Sequence, residues 1–225
     1  MTTDQAKQAA AEAAVALVTD GMVVGLGTGS TAKFAVDALA RRVQEGLRFI
    51  GVPTSEATAT QARALGIPLA TLEEYPSVSL TIDGADEIEV RSLGLIKGRG
   101  GALFREKMVA AASGQLVIIA DPSKIVEQLG AKAPVPVEVV PFGWQSTARR
   151  LEQLGATATL RNSFTTDGGH FILDCAFGTI ADPEALARQI DSVVGVVEHG
   201  LFIGMATSAF IAIADGVQRY FRSAM

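Results

Sequence analysis

LTIDGADEIEVRSLGLIKGRGGALFREK, residues 80–107, decides how this chain is read. A short β-type run, Ser79 to Ile82, ends on two aspartates, Asp83 and Asp86, with Gly84 and Ala85 between them. Leu95 and Ile96 lead into Lys97 and a glycine-rich turn, Gly98, Gly100 and Gly101, interrupted by Arg99. The turn opens a helical pattern that carries Glu106. Three carboxylates and one ammonium are thus expected at strand ends and a helix start. In open α/β sheets, ligands sit in the crevice outside the carboxyl ends of the strands. A glycine-rich turn there lets backbone N–H groups face an anion. The stretch reads as a site that moves protons on a small anionic substrate.

The flanking sequence has the alternation such a site needs. Residues 4–18 are alanine-rich and predict a helix, with Thr3 or Asp4 as its cap. MVVGLG (22–27) predicts a buried strand, and residues 28–43 a helix with Phe34, Val36, Leu39 and Val43 near helical spacing. A strand over 48–55, a helix over 56–66, a helix over 102–112 and a strand over 116–121 follow. Apolar strands alternating with helices predict a mostly parallel, Rossmann-like sheet covered on both faces. The pattern changes at AKAPVPVEVVPFGW (131–144), where Pro134, Pro136 and Pro141 argue against a central strand and for an edge or a linker. Beyond it, Val137–Val140, 145–154, 157–160, 170–176, 183–190 and 193–202 read β, α, β, β, α, β, a small ferredoxin-like α+β unit. Residues 208–221 read as two strands around Asp215-Gly216 that return to the first sheet. The expected division is 1–130 with 205–225 as the α/β catalytic domain, and 131–204 as the small domain.

Composition narrows the function. The 225 residues are 48% hydrophobic, ample for a packed core, and the net charge of −5 argues against nucleic acid or an acidic membrane as partner. Any grip on an anion must be local. The single cysteine, Cys175, fits a reducing compartment and a buried strand position. The charged N-terminal run lacks the pattern of a signal peptide, and no apolar run approaches the roughly 20 residues a bilayer requires, so the expected location is cytoplasmic.

Read singly, the chemical stretches leave alternatives open. GLGTGST (25–31) offers Thr28, Gly29, Ser30 and Thr31 at a helix start, suited to one phosphate or carboxylate. It is neither a dinucleotide nor a triphosphate fingerprint, and the competing reading is a tight turn with a helix cap. Asp83-Gly84-Ala85-Asp86 is a proton-exchange site, a divalent-metal site or an acidic turn. Lys97 can stabilise an oxyanion, and Glu106 needs burial to become a base near neutral pH, or else belongs to an exposed Arg105-Glu106-Lys107 run. Lys124 after Asp121-Pro122-Ser123, and Lys7 on the first helix, reach a phosphate or only solvent. His170 and His199 show no metal-ligand spacing, and Trp144 is expected at the domain junction.

Taken together and in order, GLGTGSTA, VPTSEAT, IDGADEI, LIKGRGGALFREK, IADPSK and VVEHGLF resemble the type A ribose-5-phosphate isomerases over essentially the whole chain. The resemblance implies interconversion of D-ribose 5-phosphate and D-ribulose 5-phosphate in the non-oxidative pentose phosphate pathway, without metal or cofactor, by a homodimer or dimer of dimers. It implies Glu106 as the base passing a proton between C2 and C1 through an enediolate. Asp83 would be the acid/base for ring opening, Lys97 the partner of the enediolate oxygen, and Asp86 the holder of sugar hydroxyls. Thr28, Gly29, Ser30 and Thr31, with Gly84, Ala85, Gly98 and Gly100, would line the substrate, and Lys7 and Lys124 would lie near the phosphate. Arg99 departs from the family's glycine- and alanine-rich run. The rival readings are a sugar-phosphate sensor module and another phosphosugar isomerase of the same fold.

Overall fold

The structure, a computed structural model, describes residues 1–222; the last three residues of the expected 205–225 return lie outside them. The chain opens with α1 (Thr3–Val15), closed at its start by a capping box in which Thr2 accepts from the Gln5 N–H and the Gln5 side chain accepts from the Thr2 N–H. There follow β1 (Val23–Leu26), α2 (Ala32–Gln44), β2 (Ile50–Pro53), α3 (Glu56–Ala64) and β3 (Leu80–Gly84). A hairpin, β4 (Glu87–Glu89) and β5 (Gly94–Ile96), precedes α4 (Leu103–Ala111), β6 (Leu116–Ala120), a 3-10 turn at Pro122–Lys124 and β7 (Ile125–Val126). Then come β8 (Val135–Val139), α5 (Trp144–Gln153), β9 (Thr157–Leu160), β10 (Phe171–Ala176), α6 (Pro183–Asp191), β11 (Val196–His199), β12 (Leu201–Phe202), β13 (Ser208–Ile213) and β14 (Gly216–Phe221).

The largest sheet has six strands in the order β14-β13-β6-β3-β1-β2. All its pairs are parallel except β13 with β14. Alternation along β6 shows how both faces are covered. Val117 and Ile119 pack with α1 and α2, while Leu116, Ile118 and Ala120 pack with Leu95, Ala110 and Phe202 on the other face. The alanine stripe of α1, Ala6, Ala10, Ala11 and Ala14, is fully packed against this core, small side chains letting the helix lie close. Strand order reverses beside β1, whose neighbours are β2 and β3. The carboxyl ends of β1, β3 and β6 therefore open on one crevice.

The second sheet, β11-β8-β10-β9, is antiparallel and backed by α5 and α6, the ferredoxin-like order. Two expectations change here. Pro136 lies inside β8, a central strand paired on both sides, not in a linker. The ladder tolerates it because β11 ends at His199: the proline ring faces Gly200, and only the Pro136 carbonyl is used, accepting from the Gly200 N–H at 2.7 Å. The strand expected over 193–202 breaks at that same glycine, and β12 joins a different sheet. Trp144 starts α5 and packs against a core that joins β8 and β10 to Ile96 of β5 and Val126 of β7. The third sheet, β12-β5-β4-β7, has strands of two or three residues, too short for a period to register, and was not expected. The helix read from residue 28 begins at Ala32, leaving Thr28–Thr31 as an ordered loop.

Candidate active site

Asp83 is the fourth residue of β3, so its side chain sits at the strand's carboxyl end with no exposure. Its Oδ1 accepts from the Thr28 N–H at 3.1 Å and the Gly84 N–H at 2.7 Å. Glycine at position 27 makes this approach possible, because a Cβ there would overlap the Asp83 carboxyl and Cα. Lys97 follows β5 and is 2% exposed. Its Nζ donates to the Gly84 carbonyl at 2.7 Å, lies 2.9 Å from Asp83 Oδ2 and 3.5 Å from Glu106 Oε2, and sits 5.3 Å from the centre of the Phe202 ring. Glu106, 3% exposed, is one turn into α4 and points back to the strand ends. The exposed-run alternative for Glu106 is thereby excluded. Among the described residues, Asp83 Oδ2 and Glu106 Oε2 are the buried side-chain oxygens with no partner other than the Lys97 ammonium. Both face the one ammonium.

One cation between two buried carboxylates cannot neutralise both. Burial pushes Glu106 up from 4.5 to about 8, against the pull of Lys97 and with Asp83 and Asp86 adding to the rise. Burial likewise raises Asp83, opposed by Lys97 and by its two backbone donors. Burial alone would strip Lys97 of its proton, but the Asp83 and Glu106 charges outweigh it and hold its pKa above the ordinary value. The pair titrates as a unit. Asp83, with two N–H donors and the nearer ammonium, takes the charge first, and Glu106 keeps the shared proton near neutral pH.

These groups border a cleft of about 390 Å³. Its wall comprises Lys97 and Glu106, the Thr28–Thr31 loop, Gly84, Ala85 and Asp86, Gly98, Arg99 and Gly100, and Lys7 and Lys124. Asp83 stands one layer behind the wall, in contact with Lys97. Thr28–Thr31 connects β1 to α2, with Gly29 at φ +106° and no side-chain cap on the helix; the Lys33 and Phe34 N–H groups donate to Gly29 and Thr31, which leaves those of Ser30, Thr31 and Ala32 for a ligand. Lys7 Nζ donates to Ser30 Oγ at 3.1 Å, tying α1 to this loop. Lys124 arrives from the turn after β6, where Asp121 Oδ1 accepts from the Ser123 N–H at 3.0 Å. Asp86 Oδ2 accepts from the Arg99 N–H at 2.9 Å, which ties the glycine-rich loop to the end of β3.

Sequence reasoning left out the hydroxyl cluster behind Thr28. Its Oγ1 lies 2.7 Å from Thr54 Oγ1, 2.8 Å from Ser55 Oγ and 3.2 Å from Thr58 Oγ1, and Thr58 donates to the Gly27 carbonyl at 2.9 Å. The hydroxyl-rich PTSEAT run after β2 was its signal. Asp191, Glu198 and His199 form the described residues' one group with metal-ligand spacing, their ligand atoms within 4.8 Å of one another. None of them lines the cleft. Lys107 already places an ammonium there, 2.6 Å from Glu198 Oε1 and 3.4 Å from His199 Nδ1.

Fold and site together are those of an α/β protein suited to a small anionic substrate: buried carboxylates paired to an ammonium stand beside a cleft that two lysines and a helix start also line. Comparison with known proteins agrees. The family model described as ribose 5-phosphate isomerase A (phosphoriboisomerase A) matches residues 50–216. A ribose-5-phosphate isomerase A of Synechococcus sp. (strain JA-3-3Ab) is 64% identical over 221 residues, 96% of each chain. The protein of that name from Gloeobacter violaceus is 61% identical over 222 residues, covering 97% of this chain and 96% of its own. Among solved structures, ribose 5-phosphate isomerase A of Methanocaldococcus jannaschii superposes with a TM-score of 0.94 at 38% identity, over 98% of this chain and all of that one. A D-ribose-5-phosphate isomerase in complex with phospho-erythronic acid gives 0.95 at 35% identity, over 99% and 100%. This chain belongs to the ribose 5-phosphate isomerase A family.

Proposed function

We propose that this cleft interconverts D-ribose 5-phosphate and D-ribulose 5-phosphate, with Glu106 as the base. Family membership along nearly the whole chain supports the reaction. The observation that carries the residue assignment is the buried Asp83–Lys97–Glu106 group, with Glu106 raised to about 8. A carboxylate with that pKa is a far stronger base than one at 4.5 and is matched to neutral conditions.

In the aldose-to-ketose direction Glu106 removes the C2 proton. The electrons of the breaking C–H bond form the C1–C2 double bond, and the carbonyl pair moves onto O1. Lys97 stands beside the resulting enediolate oxygen, fixed in advance by Gly84 and Asp83, so little reorganisation accompanies charge development. Glu106 returns the proton to C1, and the O2 proton passes to O1, so the C2 carbonyl and the C1 hydroxyl form together. Asp83 is the acid/base for ring opening, its Oδ2 held 2.9 Å from the Lys97 ammonium at the cleft wall. Asp86 holds sugar hydroxyls. Lys7, Lys124 and the Ser30–Thr31 amides grip the phosphate, and that remote contact positions the reacting carbons. Arg99 borders the same space from the glycine-rich loop.

The same reading places the activity in the cytoplasmic, non-oxidative pentose phosphate pathway and in a homodimer or dimer of dimers. Among the described residues, no helix is long and apolar enough to cross a membrane. Residues 131–204 are read as the small domain, since β8–β11 pair into one antiparallel sheet that α5 and α6 cover. The decisive experiment is a coupled assay with ribose 5-phosphate in the presence of EDTA. Turnover that disappears with chelator, or that proceeds only on another phosphosugar, would overturn the reading.

A further inference from the structure

We infer that Arg161, on the β9–β10 hairpin of the small sheet, is a positioning residue for substrate binding: it braces the glycine-rich loop that walls the cleft. Arg161 immediately follows β9. Its Nη1 donates to the Arg99 carbonyl at 3.0 Å and approaches the Gly98 carbonyl at 3.4 Å. The guanidinium is aimed by a two-point contact with Asp174 of β10, Nε to Oδ2 at 3.0 Å and Nη2 to Oδ1 at 2.5 Å. A planar fork held on one carboxylate leaves its remaining donor in a fixed direction. Two residues on, Ser163 adopts φ +54°, a left-handed conformation unusual for a residue with a side chain. That turn presents Phe164 to Gly101, where the ring occupies the space a Cβ would need. The same hairpin carries Asp167, whose Oδ2 accepts from the Glu56 N–H at the start of α3 at 2.9 Å and lies 3.6 Å from Arg105 of α4.

The loop at 98–101 is therefore held from two sides. Asp86 takes the Arg99 N–H from the end of β3, and Arg161 takes the carbonyls from the small sheet. Lys97 is held independently, by the Gly84 carbonyl on its side chain and the Gly200 carbonyl on its own N–H at 2.8 Å. Removing Arg161 should thus loosen the wall that meets bound sugar without displacing the ammonium or Glu106. A binding defect with the chemistry spared is expected, which a general loss of folding would not produce.

The inference rests on the site assigned above, so the test pairs Arg161 variants with Glu106→Gln. Steady-state kinetics with ribose 5-phosphate, pH profiles and melting curves are measured for wild type, Arg161→Met, Arg161→Lys, Asp174→Asn and the Arg161→Met/Asp174→Asn double variant. Arg161→Met should raise KM about tenfold with kcat within about threefold, and leave the pH dependence of kcat unmoved. Arg161→Lys, able to reach one carbonyl, should recover part of the KM. Asp174→Asn should move KM the same way, and the double variant should be no worse than Arg161→Met alone, because one acts through the other. An unchanged KM in folded Arg161→Met, or a KM change that is purely additive with Asp174→Asn, overturns the inference. If Glu106→Gln is inactive in that experiment, the site assignment stands and only the brace is wrong. If Glu106→Gln turns over normally, it is the site assignment that has failed.

Discussion

Replacing Lys97 with methionine separates its two proposed tasks. The ammonium lies 3.5 Å from Glu106 Oε2, and both side chains are almost wholly buried where they meet the cleft. At an effective dielectric of about 20, a unit charge at that distance is worth roughly 5 kcal/mol, or about 3.5 pKa units. Side-chain relaxation and entering water reduce this, so a rise of about 2 units is expected for the base. The starting value is about 8. The acid limb of kcat/KM should therefore move from near pH 8 to near pH 10. Loss of the oxyanion partner should independently lower the plateau by about 10²–10³-fold. At pH 7.5 the two effects multiply to about 10⁴–10⁵-fold, and raising the pH should recover only the first. Folding should suffer too, because breaking a buried ion pair typically costs about 3–5 kcal/mol; here it costs less at low pH, where protonation neutralises the orphaned carboxylates. The assay is a coupled measurement of kcat/KM between pH 6 and 10.5, with a melting curve at each end. A variant whose plateau falls while its limb stays within half a unit of wild type would show that Lys97 does not set the charge of Glu106.

Other perturbations follow from the same geometry. Glu106→Gln should lower kcat by about 10²–10⁴-fold with a modest KM change, and near-normal turnover would remove Glu106 from the base role. That variant should also melt higher than wild type at pH 8, with the gain vanishing toward pH 4.5. The folded pKa of Glu106 lies above its unfolded value of 4.5, so its contribution to stability is complete below 4.5 and is lost as pH rises toward 8; equal melting points at pH 8 would contradict the raised pKa. Gly27→Ala puts a methyl into the Asp83 carboxyl and should cost at least about tenfold in kcat, where a mere turn glycine would tolerate the change. Lys7→Ala and Lys124→Ala should each raise KM about tenfold or more and weaken inhibition by inorganic phosphate, while a kcat effect alone would place them outside the phosphate grip.

Much of this was legible in the chain because the signals were local. Apolar strands ending in Gly27, Asp83 and Asp121 each placed a chemical group at a carboxyl end, and parallel pairing brought those ends together. Burial of Glu106 was not legible. On the helix it sits between Arg105 and Lys107, and the pattern reads as a solvated run; only the packing of α4 against the strand ends turns Glu106 inward while Lys107 is satisfied by Glu198 of β11. Pro136 misled for a related reason. Whether a strand needs a given N–H depends on where its neighbour ends, and β11 ends one residue before it would have asked for one. Arg161 shows the general limit: its role is set by a contact to residues more than 60 positions earlier. Local pattern therefore identified groups that line the cleft, whereas the groups that hold them in place came from long-range pairing. Variants at the first kind of position should change kcat or the pH of its onset, and variants at the second kind should change KM or melting temperature first.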